Sequence, residues 1–276
     1  MDELLGLLTS HPAMAAAFAA AMLAEYLLGR LNDHDTHDPG ETAASFVIAA
    51  GNKLIGLATA GLVATPLLWL HAYRLFDIPA TSPLTLAALF LAVDLAYYVH
   101  HIAMHKLRWL WATHAVHHSS TKLNLTAAVR LGWGGQLTGG VAFYAPLVVI
   151  GFHPFAVFGM LAVNLAYQFL LHLADAPHLG PLEHVLNTPR HHQVHHASND
   201  GCLDRNFGGV LIVFDRLFGT FAAVPAGEPL RYGLKLDGIS PRNPLAVLTG
   251  EWRRLARDVR RARGFKERLK AFISVP

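Results

Sequence analysis

Apolar residues in this chain gather into five runs separated by polar text. Pro12 to Leu28 is rich in alanine and carries Glu25 near its end. Leu54 to Tyr73 and Pro83 to Val99 are long enough to cross a bilayer as helices, which takes about 20 apolar residues. Leu137 to Ile150 and Pro154 to Leu173 follow, divided by Gly151-Phe152-His153-Pro154. The first and fourth runs fall short of a full span and suit tilted, re-entrant or hairpin-packed segments. The pattern predicts an all-α integral membrane helical bundle of four or five membrane helices, capped on one face by polar, histidine-rich helices. Beyond the runs, Gly201 to Ala223 reads as a loop with short elements, broken at Gly208-Gly209. From Glu251, residues Trp252, Leu255, Val259, Phe265, Leu269 and Phe272 recur at helical spacing among arginines. That predicts one basic amphipathic helix over 251–272, lying on an anionic membrane surface or packed on the cap.

Composition supports the membrane reading. Hydrophobic residues make up 53% of the 276 and charged residues only 15%, too apolar for an ordinary soluble domain. The whole chain, 1–276, reads as one domain with its core at about 88–224. A single cysteine, Cys202, excludes a disulfide framework, a cysteine-rich zinc site and a four-Cys iron–sulfur cluster. The net charge of +3 comes with no interleaving of basic and aromatic residues, so no nucleic-acid partner is expected. The acidic first residues argue against a cleavable secretory signal. Lys106, Arg108, Lys122, Arg130, Arg190, Arg205 and Arg216 all fall beside the histidine-rich segments. By the positive-inside rule that face is cytoplasmic, the setting of a bacterial inner-membrane protein.

The chemistry lies in the 18 histidines. His-x-x-His-His occurs at His114/His117/His118 and again at His192/His195/His196, where a random shuffle would give on the order of 0.1 copies. His101 and His105 form a third cluster. Positions three and four apart share a helix face, so each cluster can aim two or three imidazoles at one point. Eight such nitrogens are about right for two metal ions. Imidazole without thiolate suits iron or zinc. His100 and His191 point off the shared faces. His11, His34, His37, His71 and His153 stand alone and read as ordinary polar residues. Asp94, seven residues before His101, lies on the same stripe, and a buried acid in a membrane helix reads as functional. It is expected to accept a hydrogen bond from the outer nitrogen of a ligating imidazole. Asp204 and Asn206 are placed to serve similarly. Two metals at a membrane face above an apolar bundle point to O2-dependent oxidation of a lipid C–H bond, with the substrate cavity between the helices beneath the clusters. A bis-histidine haem carrier and a metal transporter are the other classes such histidines fit.

The combined boxes resemble the fatty acid hydroxylase superfamily of histidine-box membrane enzymes. The match runs from about Asp94 to Phe221. It takes in Asp94-x-x-Tyr97-Tyr98, His101-x-x-x-His105 and Trp111-x-x-His114-x-x-His117-His118-Ser119-Ser120. Asn124-Leu-Thr-x-x-x-Arg130, Gln168-x-x-x-His172 and Asn187-Thr188-Pro189-x-x-His192-x-Val194-His195-His196 follow. Asp204-x-Asn206-Phe207-Gly208-Gly209 and Asp215-Arg216-Leu217-Phe218-Gly219-Thr220 complete it. The resemblance implies a di-iron centre, which zinc replaces in some purified proteins, O2 as co-substrate, a membrane lipid substrate and electrons from an external reductase or carrier protein. It adds His172 as a ninth ligand, with Tyr98, Asn124 and Arg130 as supporting residues. The spacing from His105 to His114 and the Asn124–Arg130 segment are most similar to the alkylglycerol monooxygenase-like and bacterial sterol-desaturase-like branch. Two positions depart from pattern. Ile102 stands where eukaryotic-type boxes carry Arg, and Lys106 stands where the ether-cleaving branch carries Glu. The second departure argues against pterin-dependent ether cleavage.

Overall fold

The computed structural model describes residues 12–234 and 239–275; His11 lies outside them. Among the described residues three helices are long and apolar enough to cross a membrane: α1 (Pro12–Leu31), α2 (Pro39–His71) and α3 (Pro83–Lys106). Each begin of α2 and α3 is written in the sequence. Asp38 caps α2 by accepting from Glu41 N, and Ser82 caps α3 in a reciprocal box with Thr85; each cap is followed by a proline at the first helical position, where its missing N–H costs nothing.

At 1.5 Å per residue the 33 residues of α2 extend roughly 50 Å, against a hydrocarbon core of about 30 Å. The apolar run from Leu54 is therefore only its distal half. Its first turns stand in the cap, where Glu41, Ala44, Ser45 and Ile48 are buried. α3 likewise continues past its apolar run and carries His101 and His105 in its last turns.

The fourth and fifth runs make shorter elements. The fourth resolves into two 3-10 turns and α6 (Ala145–Ile150); the fifth is α7 (Pro154–Leu170), 17 residues long. Leu67, Leu89, Val93, Val148 and Val157 knit α2, α3, α6 and α7 into one apolar core. Leucines such as Leu54, Leu57, Leu62 and Leu84 stay exposed on the outer faces, as lipid-facing side chains do in a bundle that spans a membrane.

The cap is built from α4 (Arg108–His114), α5 (Leu125–Ala128), α8 (Pro189–His196) and α9 (Val213–Phe218). No strand occurs among the described residues; isolated bridges such as Leu186 with Leu211 pin the loops. The tail is two helices rather than the single one expected over 251–272: α10 (Pro244–Arg261) and α11 (Gly264–Ile273). The chain turns between them at Gly264, whose φ of +79° lies in the left-handed region that glycine tolerates. The two halves differ in how they pack. α10 buries Val247, Leu248 and Leu255 against the protein and ties to α4 through Arg108 and Asp258, 2.5 Å apart. α11 leaves Phe265, Leu269 and Phe272 exposed, with Trp109 stacked on Phe272. Arg130, counted with the cytoplasmic cations from its position in the chain, is fully buried and is no surface charge.

Candidate metal centre

The histidine nitrogens sort into two sets. His101, His105, His114, His118 and His195 form one; His117, His172, His192 and His196 form the other, and within each the ligand atoms lie within 4.8 Å of one another. Of the two or three imidazoles that each triplet can aim at one point, two do so. The first and last imidazoles of a triplet, one helical turn apart, join one set, while the middle one crosses to the other. His114 and His118 face the five-histidine set and His117 the four-histidine set; in α8, His192 and His196 face the four and His195 the five. Residues i+3 and i+4 fall on opposite sides of residue i on a helix, so each triplet straddles both sets. The sets touch: ring centres are 4.4 Å apart for His118 and His196 and 5.3 Å for His195 and His196.

Carbonyl oxygens fix the tautomers. His101 Nδ1 donates to Phe207 O at 2.9 Å, His195 Nδ1 to Arg205 O at 2.8 Å and His172 Nδ1 to Gln168 O at 2.9 Å. A neutral ring whose Nδ1 carries the proton presents a bare lone pair at Nε2. These lone pairs converge. His172 Nε2 lies 3.1 Å from Nε2 of both His117 and His192, and His114 Nε2 lies 3.1 Å from that of His101 and 3.2 Å from that of His118. Nε2 of His105 and of His195 is buried with no hydrogen-bond partner. Bare lone pairs crowded together repel unless a cation sits among them. Neighbouring ligands on a metal with bonds near 2.1 Å are spaced by roughly 3.0 Å, so the residues fit two ions of the iron or zinc type. Burial first, then repulsion from adjacent rings, holds His114, His117, His118, His192 and His196 well below the ordinary imidazole range. Burial pushes His172 down to about 4. Neutral imidazole is the form that binds metal.

One loop, 204–211, holds much of this in place. Asp204 and Asn206 adopt left-handed backbone, φ +57° and +56°, which Asp and Asn tolerate better than most residues. The loop turns its carbonyls at 205 and 207 onto His195 and His101. Asp204 Oδ1 lies 3.4 Å from His105 Nδ1; that contact and Lys106 hold its carboxyl down to about 2 against burial. Asn206 touches no imidazole: it bonds His191 O and both backbone groups of the Ala222 region. Asp94 does not reach an imidazole either, which corrects the role expected of it. Its carboxylate accepts from Val210 N at 2.8 Å, Leu211 N at 3.0 Å and Asn164 Nδ2 at 2.6 Å, so it positions His101 through the loop. Asp215 grips the same loop at Phe207 N and Gly208 N and takes the Thr220 hydroxyl, which meets Tyr98 OH.

Asn124 and Arg130 act at a further remove. Asn124 caps α5 and binds Thr36 O. Arg130, lowered to about 10 by burial, reaches Ser119 Oγ beside His118 and Pro241 O. Two acids missed in the sequence act like them. Glu25 of α1 accepts from Leu125 N and Ala174 N, two residues past His172. Glu41 of α2 accepts from Ser120 Oγ, Thr121 N and the Thr121 hydroxyl, just past His118. For Glu25 the signal was present, since it lies in an apolar run and the argument applied to Asp94 holds; Glu41 precedes the run from Leu54 and carried none. Of the flanking histidines, His100 stacks on Phe143 and His191 packs on Phe221.

Below the histidines a cavity of about 590 Å³ opens among α1, α2, α3 and α7. Phe18, Val63, Leu161 and Phe169 line it, and it ends on His114, His117 and His172.

Comparison with known proteins matches the stretch of sequence that carries these histidines to one family. The fatty acid hydroxylase family model matches residues 86–220. The human alkylglycerol monooxygenase is 45% identical over 163 residues, covering 59% of this chain and 36% of that protein. Ornithine lipid hydroxylase OlsE of Rhizobium tropici is 29% identical over 165 residues, 59% of this chain and 49% of that protein. A cholesterol 25-hydroxylase-like protein of Danio rerio is 34% identical over 142 residues, 49% and 54% of the two chains. The match thus spans about a third of the length of the alkylglycerol monooxygenases. No solved structure matches the chain.

Proposed function

We propose, for a chain that belongs to the fatty acid hydroxylase superfamily, that it is a membrane-embedded, non-haem di-iron oxygenase that hydroxylates a C–H bond of a lipid with O2 and external electrons. The observation that carries the reading is the meeting of two sets of neutral, buried imidazoles with an apolar cavity that His114, His117 and His172 help to line.

His101, His105, His114, His118 and His195 would hold one ion and His117, His172, His192 and His196 the other. Bound there, the iron pair would supply from O2 the oxidising power that side chains lack for breaking an unactivated C–H bond. The chain does the rest. The apolar walls bind an alkyl chain and keep water from it. Phe18, Leu161 and Phe169 direct it toward His114, His117 and His172. The carbonyls of Arg205, Phe207 and Gln168 keep Nδ1 protonated on their imidazoles, so that Nε2 stays free to ligate. On the positive-inside argument the centre faces the cytoplasm of a bacterial inner membrane.

Other classes fit the geometry less well. Facing imidazole nitrogens 3.1 Å apart leave no gap for a porphyrin between them. A transporter needs its ligands strung along a mid-membrane path, whereas these lie in the cap and at the cap end of α3. Desaturation would use the same centre. An ether lipid is the second substrate reading, favoured by the similarity to alkylglycerol monooxygenases; Lys106, paired with Asp204 at 2.5 Å, stands against it. Lipid profiling of cells with and without the gene under ¹⁸O2 tests the proposal. One lipid class should gain one labelled oxygen only when the gene is present. Label-free, unchanged lipids would refute it; a new double bond would shift it to desaturation.

A further inference from the structure

The imidazoles present separate faces to two cavities. The apolar cavity touches His114, His117 and His172. A second cavity, of about 370 Å³, touches His105, His118, His195 and His196, so the two share no imidazole. Its remaining walls include Asp204, Arg108, Glu251 and Arg254 beside Leu203 and Val275, a lining much richer in charge than that of the first, where Lys53 alone is charged. Trp111 forms part of it, with its ring centre 5.1 Å from that of His105 and 5.6 Å from that of His118.

Mass balance calls for such a second door, given the oxygenase reading on which this inference rests. Hydroxylation is R–H + O2 + 2 e⁻ + 2 H⁺ → R–OH + H2O. A C–H bond breaks, a C–O bond forms, and the second oxygen leaves as water. The two electrons and two protons come from outside the substrate. Charge is costly to move through an apolar, lipid-filled channel, so the electron donor needs an approach from water.

The surface beside the polar cavity has a definite charge. Arg254 lines it, and Arg257 and Arg261 follow at i+3 and i+7 on the same stripe of α10. Both are exposed and make no ion pair among the described residues. Around this stripe no large apolar side chain of α10 is exposed: Leu255 is buried and Trp252 and Val259 are half-buried, while the exposed Leu245 lies at the far end of the helix and the exposed Phe265, Leu269 and Phe272 belong to α11. The unpaired guanidinium groups of Arg257 and Arg261, next to Arg254 with its Glu251 partner, face water and steer an acidic protein toward the cavity.

We infer that the polar cavity and the Arg254–Arg257–Arg261 stripe form the docking site of an acidic one-electron carrier protein, with Trp111 between the docked carrier and the rings of His105 and His118. Two carriers deliver one electron each per turnover.

The test uses the iron-loaded full chain in lipid nanodiscs, with reduced plant-type ferredoxin as an acidic probe and cytochrome c as a basic one. Binding is read by interferometry and reduction by stopped-flow absorbance. Ferredoxin should bind and cytochrome c should not. Arg257→Glu with Arg261→Glu should weaken ferredoxin binding roughly tenfold and flatten its salt dependence, with metal content and the rate of reduction by dithionite unchanged. Equal binding of both carriers, binding of neither, or indifference to the charge reversal would overturn the inference. Charge-dependent ferredoxin binding without any lipid oxidation would leave the docking site standing and remove the oxygenase reading instead.

Discussion

Replacing Glu25 by Ala tests how far the membrane helices ahead of the family domain support the metal centre. Glu25 lies outside the residues matched by the family, yet its carboxylate accepts Leu125 N at 2.8 Å and Ala174 N at 2.9 Å. Removing it leaves two sheltered N–H groups without acceptors, a cost of about 1–3 kcal/mol each, or roughly 2–6 kcal/mol together. Ala174 follows His172 by two residues, so the loss falls on the four-histidine set and spares the five. Loss of an outer support of this kind weakens metal affinity about 10–100-fold. Elemental analysis after titration with a chelator reads the effect. Where the unaltered protein keeps two ions per chain, Glu25→Ala should approach one, and Glu25→Gln, which retains one acceptor oxygen, should fall between. Two ions held with undiminished resistance would refute the positioning role. Loss of both, together with a collapsed melting transition, would show that Glu25 supports the fold rather than one metal.

Other outcomes follow from the same geometry. His195→Ala and His117→Ala remove ligands from different sets; each should lower iron content and abolish activity, and full activity in either would count against ligation. Asp94→Asn should leave the helices intact by circular dichroism but slow turnover, because an amide cannot accept from Val210 N, Leu211 N and Asn164 together; unchanged kinetics would confine Asp94 to structure. Acid should destabilise the metal-free protein. Folding depresses the His172 pKa to about 4 and holds the buried imidazoles of the cap low, so below about pH 6.5 the unfolded chain binds more protons than the folded one. Stability is fully present above that pH and falls as pH drops from about 6.5 toward 4. A melting temperature equal at pH 7.5 and pH 5 would contradict it.

The sequence made the bundle and the histidine boxes legible for a simple reason. Spacings of three and four report helix faces, and long apolar runs report membrane helices. What it hid was contact across distance. Periodicity cannot show that Leu54 to Tyr73 is the distal half of a longer helix whose polar first half packs in the cap. The crossing of His117 and His195 depends on how α4, its following 3-10 turn and α8 face one another. Asp94 shares the stripe of His101, yet the loop at Val210 and Leu211 claims its oxygens first. The tail pattern at 251–272 ran through Gly264 without showing the turn there, and only packing shows that α10 is covered while α11 is not.

The central claim is that the nine imidazoles hold a pair of iron ions. Anomalous diffraction at the iron edge from crystals of the iron-loaded protein tests it most directly. Two peaks are predicted, one among His101, His105, His114, His118 and His195 and one among His117, His172, His192 and His196, each roughly 2.1 Å from its Nε2 atoms. A single peak, or iron bound away from both sets, would contradict the account.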